Sequence, residues 1–565
     1  MTLFSSIRMA ANTLQADQIA LQVIAQNIAN ANTPGYIREE VVLTPAPTFR
    51  YGGLLLGLGV QVEAIIQKID HFLEERLRGA VSDKTSAEAQ EETYLELEQL
   101  IGELSETDLS TRLNAFFGSI AEVLNQPESR SVRNLVVLQG QTLASEIRRL
   151  ASRVNQIRTA VNGRITQMAD DINRLLEEIR TLNIRITETE GGTVSKSHAV
   201  GLRDQRLQAL EKLAELISIR VEEQNNGSVT VYCGADYLVS EGFARRVEVS
   251  KTTDRGMGIA AIQLVDTQSP LDTRSGQYYG LVYARDQILG GFLDQLDDFA
   301  RTLIFEFNKM YASGQGLVGF RDVTSQQEVD AVDAPLNQVG LSFQPVNGSF
   351  QVLVYNRKTG LTNTTDIRVD LNGIGRDTTL EDIVNALNAI NGLSAEITPS
   401  RGLRIWSTSS DLEFGFANDT SGLLAALGIN TFFTGTTALS IGVNEQVAAE
   451  PALLAASRGG IGADTDNAIE LARFLDLPLK AKNGDSLAVL YDRLVSGVTQ
   501  GSAIMQAVAE GSRTFEATLR GQKLALSGVS IDEEAVKMIT FQRQFQAAAR
   551  FIAQLSELFE ILVSI

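Results

Sequence analysis

The chain has 565 residues, of which 44% are hydrophobic, so it is long enough for several domains with packed cores. Its 69 acidic and 49 basic residues give a formal net charge of −20, which repels nucleic-acid phosphates and anionic lipid surfaces. One cysteine, Cys233, excludes an intrachain disulfide framework, and two histidines, His71 and His198, leave little for a zinc or haem site. We therefore expect no cofactor, no metal and no nucleic-acid partner. We interpret Cys233 as a packed small residue and the histidines as solvated.

The sequence also argues against a membrane-spanning helix and against a cleaved signal peptide. The longest apolar run, residues 52–60, is much shorter than the roughly 20 residues that a membrane span needs, and glycines weaken it further. Arg8, Asn12 and Asp17 interrupt the apolar stretch that a signal peptide requires. We expect no membrane insertion, and we expect any export to use another route.

The N-terminal segment carries a coiled-coil pattern that stops at a turn motif. Apolar residues recur every seven positions from Ile7 to Ile28, with a companion series of Leu3, Ala10 and Ile24 in which Asp17 is the one polar break. The motif NANTPGY follows at residues 30–36. Pro34 cannot continue a helix and Gly35 permits a turn, so the predicted helix ends near Ala31.

The next 180 residues are predicted to be one extended segment followed by helices. Residues 37–66 have the pattern of a hairpin or a long loop, and residues 68–215 are almost entirely helical in pattern. The longest apolar series runs from Leu143 to Ile186 in steps of three and four, which predicts a helix on the order of 65 Å long.

Two β-rich segments are predicted between helical blocks. The first begins near Ile217, turns at Asn226-Gly227, and continues through residues 247–249 and 262–264 as an extension of the same sheet. Helix returns over residues 286–312. The second β segment covers roughly residues 338–440, with a strand at Leu341 and Phe343 and a short helix over residues 379–392.

The C-terminal segment carries a second coiled-coil seam. Apolar residues recur every seven positions from Ile531 to Phe559, with a companion series from Phe541 to Leu562. Ser530 is expected to cap this helix, with Glu533 as the carboxylate of a capping box. The two terminal seams can pair with each other, and the large aromatic residues leave apolar surface on more than one side of the C-terminal helix.

Two motifs at opposite ends of the chain resemble the terminal signatures of bacterial flagellar axial proteins. They are NANTPGY and the stretch SGVSIDEEAVKMITFQRQFQAAARFI at residues 527–552. Rod, hook and junction proteins of that group share these ends, so internal segments must discriminate among them. The stretches IIQKIDHFLEERLRG at 65–79 and NDTSGLLAALGINTFFTG at 418–435 resemble the hook-associated protein 1 family of junction proteins. The segment TLEDIVNALNAING at 379–392 is similar to a repeat inserted into many flagellins.

The resemblance implies a structural protein of the bacterial flagellum that joins the hook to the filament and assembles as a ring or tube layer through its terminal helices. It implies export through the flagellar type III apparatus, so that the protein is cytoplasmic before export and extracellular, at the hook–filament junction, afterwards. The implied partners are further copies of the chain, the hook protein, the second hook–filament junction protein, an export chaperone and the type III export apparatus.

The resemblance assigns roles to residues at both ends of the chain. In the N-terminal helix and its motif the implied assembly residues are Leu3, Ile7, Leu14, Leu21, Ile24, Ile28, Asn30, Asn32, Thr33, Pro34, Gly35 and Tyr36. In the C-terminal helix the residues implied in assembly or chaperone binding are Ile531, Met538, Phe541, Phe545, Ile552, Leu555, Phe559 and Leu562.

The sequence contains no pattern that indicates catalysis. The glycine cluster at residues 459–462 lacks the lysine and the Ser/Thr of a P-loop, and adjacent acidic pairs such as Asp170-Asp171 diverge on a helix. We predict no catalytic, cofactor-binding or metal-binding residues, and we predict that the protein is not an enzyme. Two alternatives remain open: a hook or distal rod protein, and a secreted adhesin with ligand-binding β modules on a helical stalk.

The predicted fold class is α+β multidomain, with a long α-helical coiled-coil or bundle rod formed by the N- and C-terminal segments and with inserted β-rich domains. The predicted segments are an N-terminal coiled-coil helix at 1–36, an extended or hairpin segment at 37–70, the first part of the helical rod at 71–215, a first inserted β domain at 216–285, a returning helix at 286–325, a second, flagellin-insert-like β domain at 326–440, the second part of the rod at 441–526, and a C-terminal coiled-coil helix at 527–565.

Overall fold

The computed structural model of the protein describes residues 3–51, 53–102, 108–191, 197–462 and 464–564. It has the predicted α+β multidomain character, with long helices at both ends and small sheets between helical blocks. The α-helices are α1 (Leu3–Ala29), α2 (His71–Gly102), α3 (Leu109–Val123), α4 (Arg130–Glu190), α5 (Val200–Leu216), α6 (Gly276–Tyr283), α7 (Gly290–Tyr311), α8 (Leu380–Asn388), α9 (Leu423–Leu427), α10 (Glu445–Ala449), α11 (Asp466–Ala472), α12 (Leu487–Ser527) and α13 (Ile531–Ser564).

The strands are short and pair antiparallel with their neighbours. They are β1 (Glu39–Pro45), β2 (Phe49–Tyr51), β3 (Leu54–Leu56), β4 (Val60–Gln67), β5 (Arg220–Glu223), β6 (Val229–Cys233), β7 (Asp236–Ser240), β8 (Phe243–Ala244), β9 (Val247–Asp254), β10 (Met257–Leu264), β11 (Asp322–Thr324), β12 (Gly348–Asn356), β13 (Leu361–Val369), β14 (Leu393–Ile397), β15 (Leu403–Ser407), β16 (Leu412–Ala417), β17 (Phe433–Thr434) and β18 (Gly442–Val443).

The long helix predicted from the apolar series is confirmed as α4. It has 61 residues, which at about 1.5 Å per residue corresponds to roughly 90 Å. Most of the predicted stripe is buried, including Leu143, Val154 and Ile186. Among the described helices, none is long and apolar enough to cross a bilayer.

The chain divides into two compact units. The first comprises Met1–Thr93, Thr159–Asp286 and Ala503–Ile565. In it, α1 lies against α13, and the antiparallel pair β1–β4 encloses the hairpin β2–β3 and packs on α1. This confirms both the predicted hairpin and the predicted pairing of the chain ends. Strands β5 to β8 form a four-stranded sheet.

One sheet prediction in this unit is wrong. Residues 247–264 were expected to extend the sheet that begins near Ile217, but β9 and β10 form a separate two-stranded hairpin. Local alternation of apolar residues identifies strands but does not specify which strand lies beside which. Cys233 is buried as predicted, and burial raises the pKa of its thiol to about 12.

The second unit comprises Tyr94–Arg158 and Gln287–Ser502. It contains two three-stranded sheets, β13-β12-β16 and β11-β15-β14, and a buried aromatic cluster in which the rings of Phe116, Phe307 and Phe432 lie within 6 Å of one another. The predicted short helix is α8, which begins at a capping box between Thr379 and Asp382.

Two element predictions in the middle of the chain require correction. Helix begins at Gly276, ten residues earlier than expected, and continues through a π-helical turn over Ala284–Leu289 into α7. The strand predicted at Leu341 and Phe343 is absent from the described chain there. Both side chains are buried, and Phe343 stacks on Phe305, so their apolar character reflects burial in a loop without a strand partner.

Candidate functional site: the junction of the chain termini

The NANTPGY motif forms a hydrogen-bonded turn directly after α1. The backbone N–H of Thr33 donates to the carbonyl oxygen of Asn30 at 2.9 Å, and the Thr33 hydroxyl donates to the Asn30 side chain at 3.2 Å. Gly35 has a φ of +77°, in the left-handed region that favours glycine. The helix therefore ends two residues before the predicted position, for the predicted reason, and Asn32, Thr33, Pro34 and Gly35 remain exposed.

A buried asparagine connects this turn to both neighbouring elements. The side-chain N–H groups of Asn27 donate to the backbone oxygen of Glu39 at 2.9 Å and to Glu534 at 3.1 Å. Its oxygen accepts from the Tyr36 hydroxyl at 2.8 Å and from the Glu39 N–H at 3.0 Å. Asn27 thus uses its full hydrogen-bonding capacity to join α1, the motif, β1 and α13.

An ion pair between residues almost 500 positions apart joins the end of the motif to α13. Arg38 donates to Glu534 through Nε at 2.9 Å and through Nη2 at 2.6 Å, and through Nη1 to Glu533 at 2.8 Å. The Arg38 and Glu534 side chains are only 8% and 1% exposed. In addition, the Arg38 N–H donates to the backbone oxygen of Ser527, just before α13. We refer to Asn27, Arg38 and Glu534 as the terminal clamp.

The electrostatics of the terminal clamp favour its charged form. Burial by itself would raise the pKa of Glu534, but the hydrogen bonds from Asn27 and Arg38 outweigh burial and hold the pKa below its ordinary value. Burial opposes the charge on Arg38 as well, and its bonds to Glu534 and Glu533 raise its pKa in spite of that. Both partners are therefore ionised at neutral pH.

The terminal helices run antiparallel. The Asn27–Glu534 bond lies at one end of the pair, and the rings of Phe4 and Phe559 meet edge to face at 5.6 Å near the other. The predicted seam residues on the inner side are half-buried, namely Ile7, Leu14, Leu21, Ile28, Met538, Phe541, Ile552 and Phe559, or buried, namely Ile24 and Leu555. Leu3 and Leu562 belong to the helices, but their side chains lie outside the described residues.

Two predicted seam residues are exposed. Ile531 is 52% exposed and Phe545 is 36% exposed. Further exposed apolar side chains of α13 are Val536, Ile539, Phe551, Leu558 and Ile561. At about 100° per residue they lie to one side of Leu555, at rotations of roughly 40–160° around the helix axis. We call these five residues the outer face of α13. Exposed apolar side chains gathered on one side of a helix are typical of an interaction surface.

The motif also borders an open groove of about 640 Å³. Residues 31–37 form one wall, and the other walls come from α5 and from the end of α12, including Gln208, Glu211 and Lys523. Glu211 is paired with Arg520 at 2.5 Å, and the Gln208 amide donates to the Pro34 oxygen at 3.2 Å. The exposed part of NANTPGY therefore lies at the rim of a depression large enough for a side chain or short segment of another molecule.

Sequence reasoning missed most of the terminal clamp. No sequence pattern singles out Asn27, Arg38 or Glu39, and Glu534 stands in the sequence only as one of several acidic residues near a helix N-terminus, where negative charge is favourable. Glu533 does not act mainly as the predicted capping-box carboxylate, because it pairs with Arg38, although the Ser530 hydroxyl does accept from the Glu533 N–H at 3.4 Å. The available signal for this ion pair consisted of an arginine two residues after the turn motif and two adjacent glutamates near the opposite end of the chain.

The chemistry of this region is that of structural contacts. Its charged groups are paired with one another, and among the described residues no group of three or more His, Cys, Asp or Glu side chains could hold a metal ion.

Three family models match separate parts of the chain. The model described as flagellar hook-associated protein FlgK helical domain matches residues 94–324. The models described as flagella basal body rod protein and as flagellar basal body rod FlgEFG protein C-terminal match residues 7–36 and 520–565, respectively.

Three similar proteins share the name flagellar hook-associated protein 1. The chain is 22% identical over 588 residues to the flagellar hook-associated protein 1 of Escherichia coli (strain K12), with 99% of this chain and 100% of that protein covered. The Salmonella typhimurium protein is 24% identical over 579 residues with the same coverage, and the Bacillus subtilis (strain 168) protein is 24% identical over 55% of this chain and 68% of its own length. Among solved structures, the flagellar hook junction protein FlgK from Burkholderia pseudomallei is 14% identical, with 80% of this chain and 100% of that chain covered, at a TM-score of 0.49.

Proposed function

We propose that this chain, a structural protein of the bacterial flagellum whose resemblance to flagellar hook-associated protein 1 extends over 99% of its length, joins the hook to the filament as a ring or tube layer. The observation that carries the proposal is the construction of the chain ends. The terminal clamp fixes α1 and α13 against each other, and the outer face of α13 remains apolar and exposed. The five side chains of this face are 38–65% exposed, as expected of an assembly surface.

The partners that we propose are those implied by the resemblance to flagellar axial proteins. We expect further copies of the chain around the ring, the hook protein on one side and the second junction protein on the other. Before assembly, an export chaperone covers the C-terminal helix, and the type III apparatus delivers the protein to the cell exterior. The assembly roles proposed for NANTPGY and the two seams are supported by the exposed motif at the rim of the groove and by the helix pair.

We also propose where each segment predicted from the sequence lies in the assembly. We propose that the terminal segments 1–36 and 527–565 form the inner layer, that the rod segments 71–215 and 441–526 surround it, and that the β-rich segments 216–285 and 326–440 lie outermost. We also propose that the protein is not an enzyme.

Immunogold electron microscopy on purified flagella tests the location. We expect a single narrow band at the distal end of the hook. Label along the hook or rod would support the rod or hook alternative, and scattered filament or cell-surface label would support an adhesin.

A double variant on the outer face of α13 tests the proposed role of this face in assembly without changing buried residues. Replacing Ile539 and Leu558 on the outer face, which are 51% and 54% exposed, by glutamine leaves the buried seam residues and the terminal clamp in place, so we expect an exported, folded protein that fails to retain filaments. The matched control is Gln554→Ala, an exposed polar position on the same side of α13, which should support normal motility. Normal filament attachment by the double variant would contradict the proposed role of this face.

A further inference from the structure

A second cavity in the first unit, of about 500 Å³, lies between the start of α2, α5 and the sheet strands β5 and β6. Its walls combine apolar side chains, such as Leu210 and Val229, with three arginines and with both histidines of the chain. Its size and its mixture of apolar walls with a few polar groups are typical of a site for a small ligand.

Most charges around this cavity are neutralised by the protein itself. Arg203 pairs with Glu190 at 2.6 Å and with Glu223 at 2.7 Å. Glu74 pairs with Lys523 at 2.8 Å. These groups satisfy one another and leave no charge for a ligand.

Arg78 and Arg206 differ from these pairs. They are 8% and 3% exposed, and within the described part of the chain neither has a carboxylate within ion-pair distance. The Nε–H of each is buried without a hydrogen-bond acceptor among the described residues. Arg206 does donate through Nη1, but to the neutral oxygens of Asn183 at 3.0 Å and Gly227 at 2.7 Å. Two guanidinium charges therefore line the cavity with unused donors.

Burial lowers the pKa of both arginines, that of Arg206 to about 10. A guanidinium group keeps its charge in proteins at neutral pH. His198 adds a neutral donor. Its Nδ1 accepts from the Gln67 N–H at 3.4 Å, which assigns the ring proton to Nε2, and burial, assisted by Arg203, lowers its pKa. Glu75, which is exposed, is the remaining negative group on the wall without an ion pair among the described contacts.

A buried guanidinium without a partner is costly, and an oxyanion is the ligand that its fork of N–H donors matches best. We propose that this cavity binds a small oxyanion, carrying a phosphate or carboxylate group, between Arg78 and Arg206, with His198 as an additional donor. The ligand charge replaces the carboxylate partner that these arginines lack in the chain. The apolar part of the wall leaves room for a short apolar body beside the anionic group.

Isothermal titration calorimetry on the full-length protein tests the site, with inorganic phosphate as the probe and sodium chloride at equal ionic strength as the reference. We expect saturable phosphate binding that Arg206→Gln or Arg78→Gln weakens at least about tenfold, equivalent to about 1.4 kcal/mol. Arg76→Gln, an exposed arginine on the same turn of α2, is the matched control and should bind like the parent. Acetate titrated in parallel separates a preference for carboxylate from one for phosphate, and binding of either oxyanion supports the site.

A gain-of-binding variant keeps the test decisive if an arginine variant folds poorly. Glu75→Gln removes the unpaired negative charge on the wall, so we expect it to strengthen phosphate binding several-fold. Absence of saturable binding of both anions to the parent protein, or equal binding by parent, Arg78→Gln and Glu75→Gln, would overturn the proposal. Binding of equal strength in the Arg76→Gln and Arg78→Gln variants, both weakened, would also overturn it, because a diffuse surface attraction then suffices.

Discussion

Loss of Arg38 should release the C-terminal helix from the rest of the first unit. Arg38→Met retains a side chain of similar length but leaves Glu534, 1% exposed, with Asn27 and with Lys537 at 3.3 Å as its remaining partners. Removal of one member of a buried ion pair costs roughly 3 kcal/mol, because the other charge stays buried. The exposed Glu533 carboxylate loses its partner as well, which adds little.

Hydrogen exchange followed by mass spectrometry measures this loss locally, which suits a chain of several units where a single unfolding free energy is not defined. A change of roughly 3 kcal/mol corresponds to about 100-fold faster exchange in α13, at about tenfold per 1.4 kcal/mol. The effect should be confined to α1, β1 and α13, the elements that the terminal clamp joins.

Two variants define the controls for this experiment. Arg543→Met removes an exposed arginine of α13 and should change exchange by less than about 0.5 kcal/mol. Arg38→Met combined with Glu534→Leu removes both charges and should recover much of the lost protection. Unchanged exchange of α13 in Arg38→Met, or an equal effect of Arg543→Met, would refute the reasoning.

Three further predictions concern the surroundings of the terminal clamp. Burial raises the pKa of Asp204 to about 7, above its value in the unfolded chain, so the folded protein binds the proton more tightly and its stability falls as pH rises from about 4 to 7. Thermal unfolding of Asp204→Asn, measured across this pH range, should lack this fall in stability. A variant with the same pH profile as the parent would contradict the prediction. Gly59 has a φ of +84° and an added Cβ would lie 2.9 Å from the Met9 carbonyl oxygen, so Gly59→Ala should destabilise the first unit by about 1–2 kcal/mol while Gly57→Ala, in open space, should not. Leu555→Ala should weaken the helix pair by about 2 kcal/mol, whereas exposed Leu558→Ala should leave amide exchange of α1 unchanged.

The helices were predictable because their information is local. The apolar steps from Leu143 to Ile186 require only that one face of a continuous helix is buried, and α4 follows them. The end of α1 depends on Pro34 and Gly35, which act within the turn that they form. The separate β9–β10 hairpin was not predictable in the same way, because the choice of a neighbouring strand depends on contacts outside the strand.

The terminal clamp shows the same limit at a functional site. The two seams predicted that the ends pair, but a seven-residue repeat permits several registers that differ by one heptad. Arg38 and Glu534 are separated by 496 positions, so no local pattern connects them. Phe545 was placed in the seam by its spacing alone, and it is exposed because α1 covers only one side of the helix.

Polar groups at the junction select one arrangement of the chain ends at a cost in stability. The terminal clamp lies at one end of the α1–α13 pair, and Asp17, whose pKa is raised by burial, lies within the seam with one carboxylate oxygen unpaired among the described residues. An apolar seam alone would bind more strongly but would allow shifted registers, whereas buried polar residues accept only the register that satisfies them. A fixed register also fixes which residues of α13 face outward. The terminal clamp and Asp17 therefore determine which residues form the outer face from Val536 to Ile561. We expect a change in the clamp to alter assembly even though the sequence of the outer face stays the same.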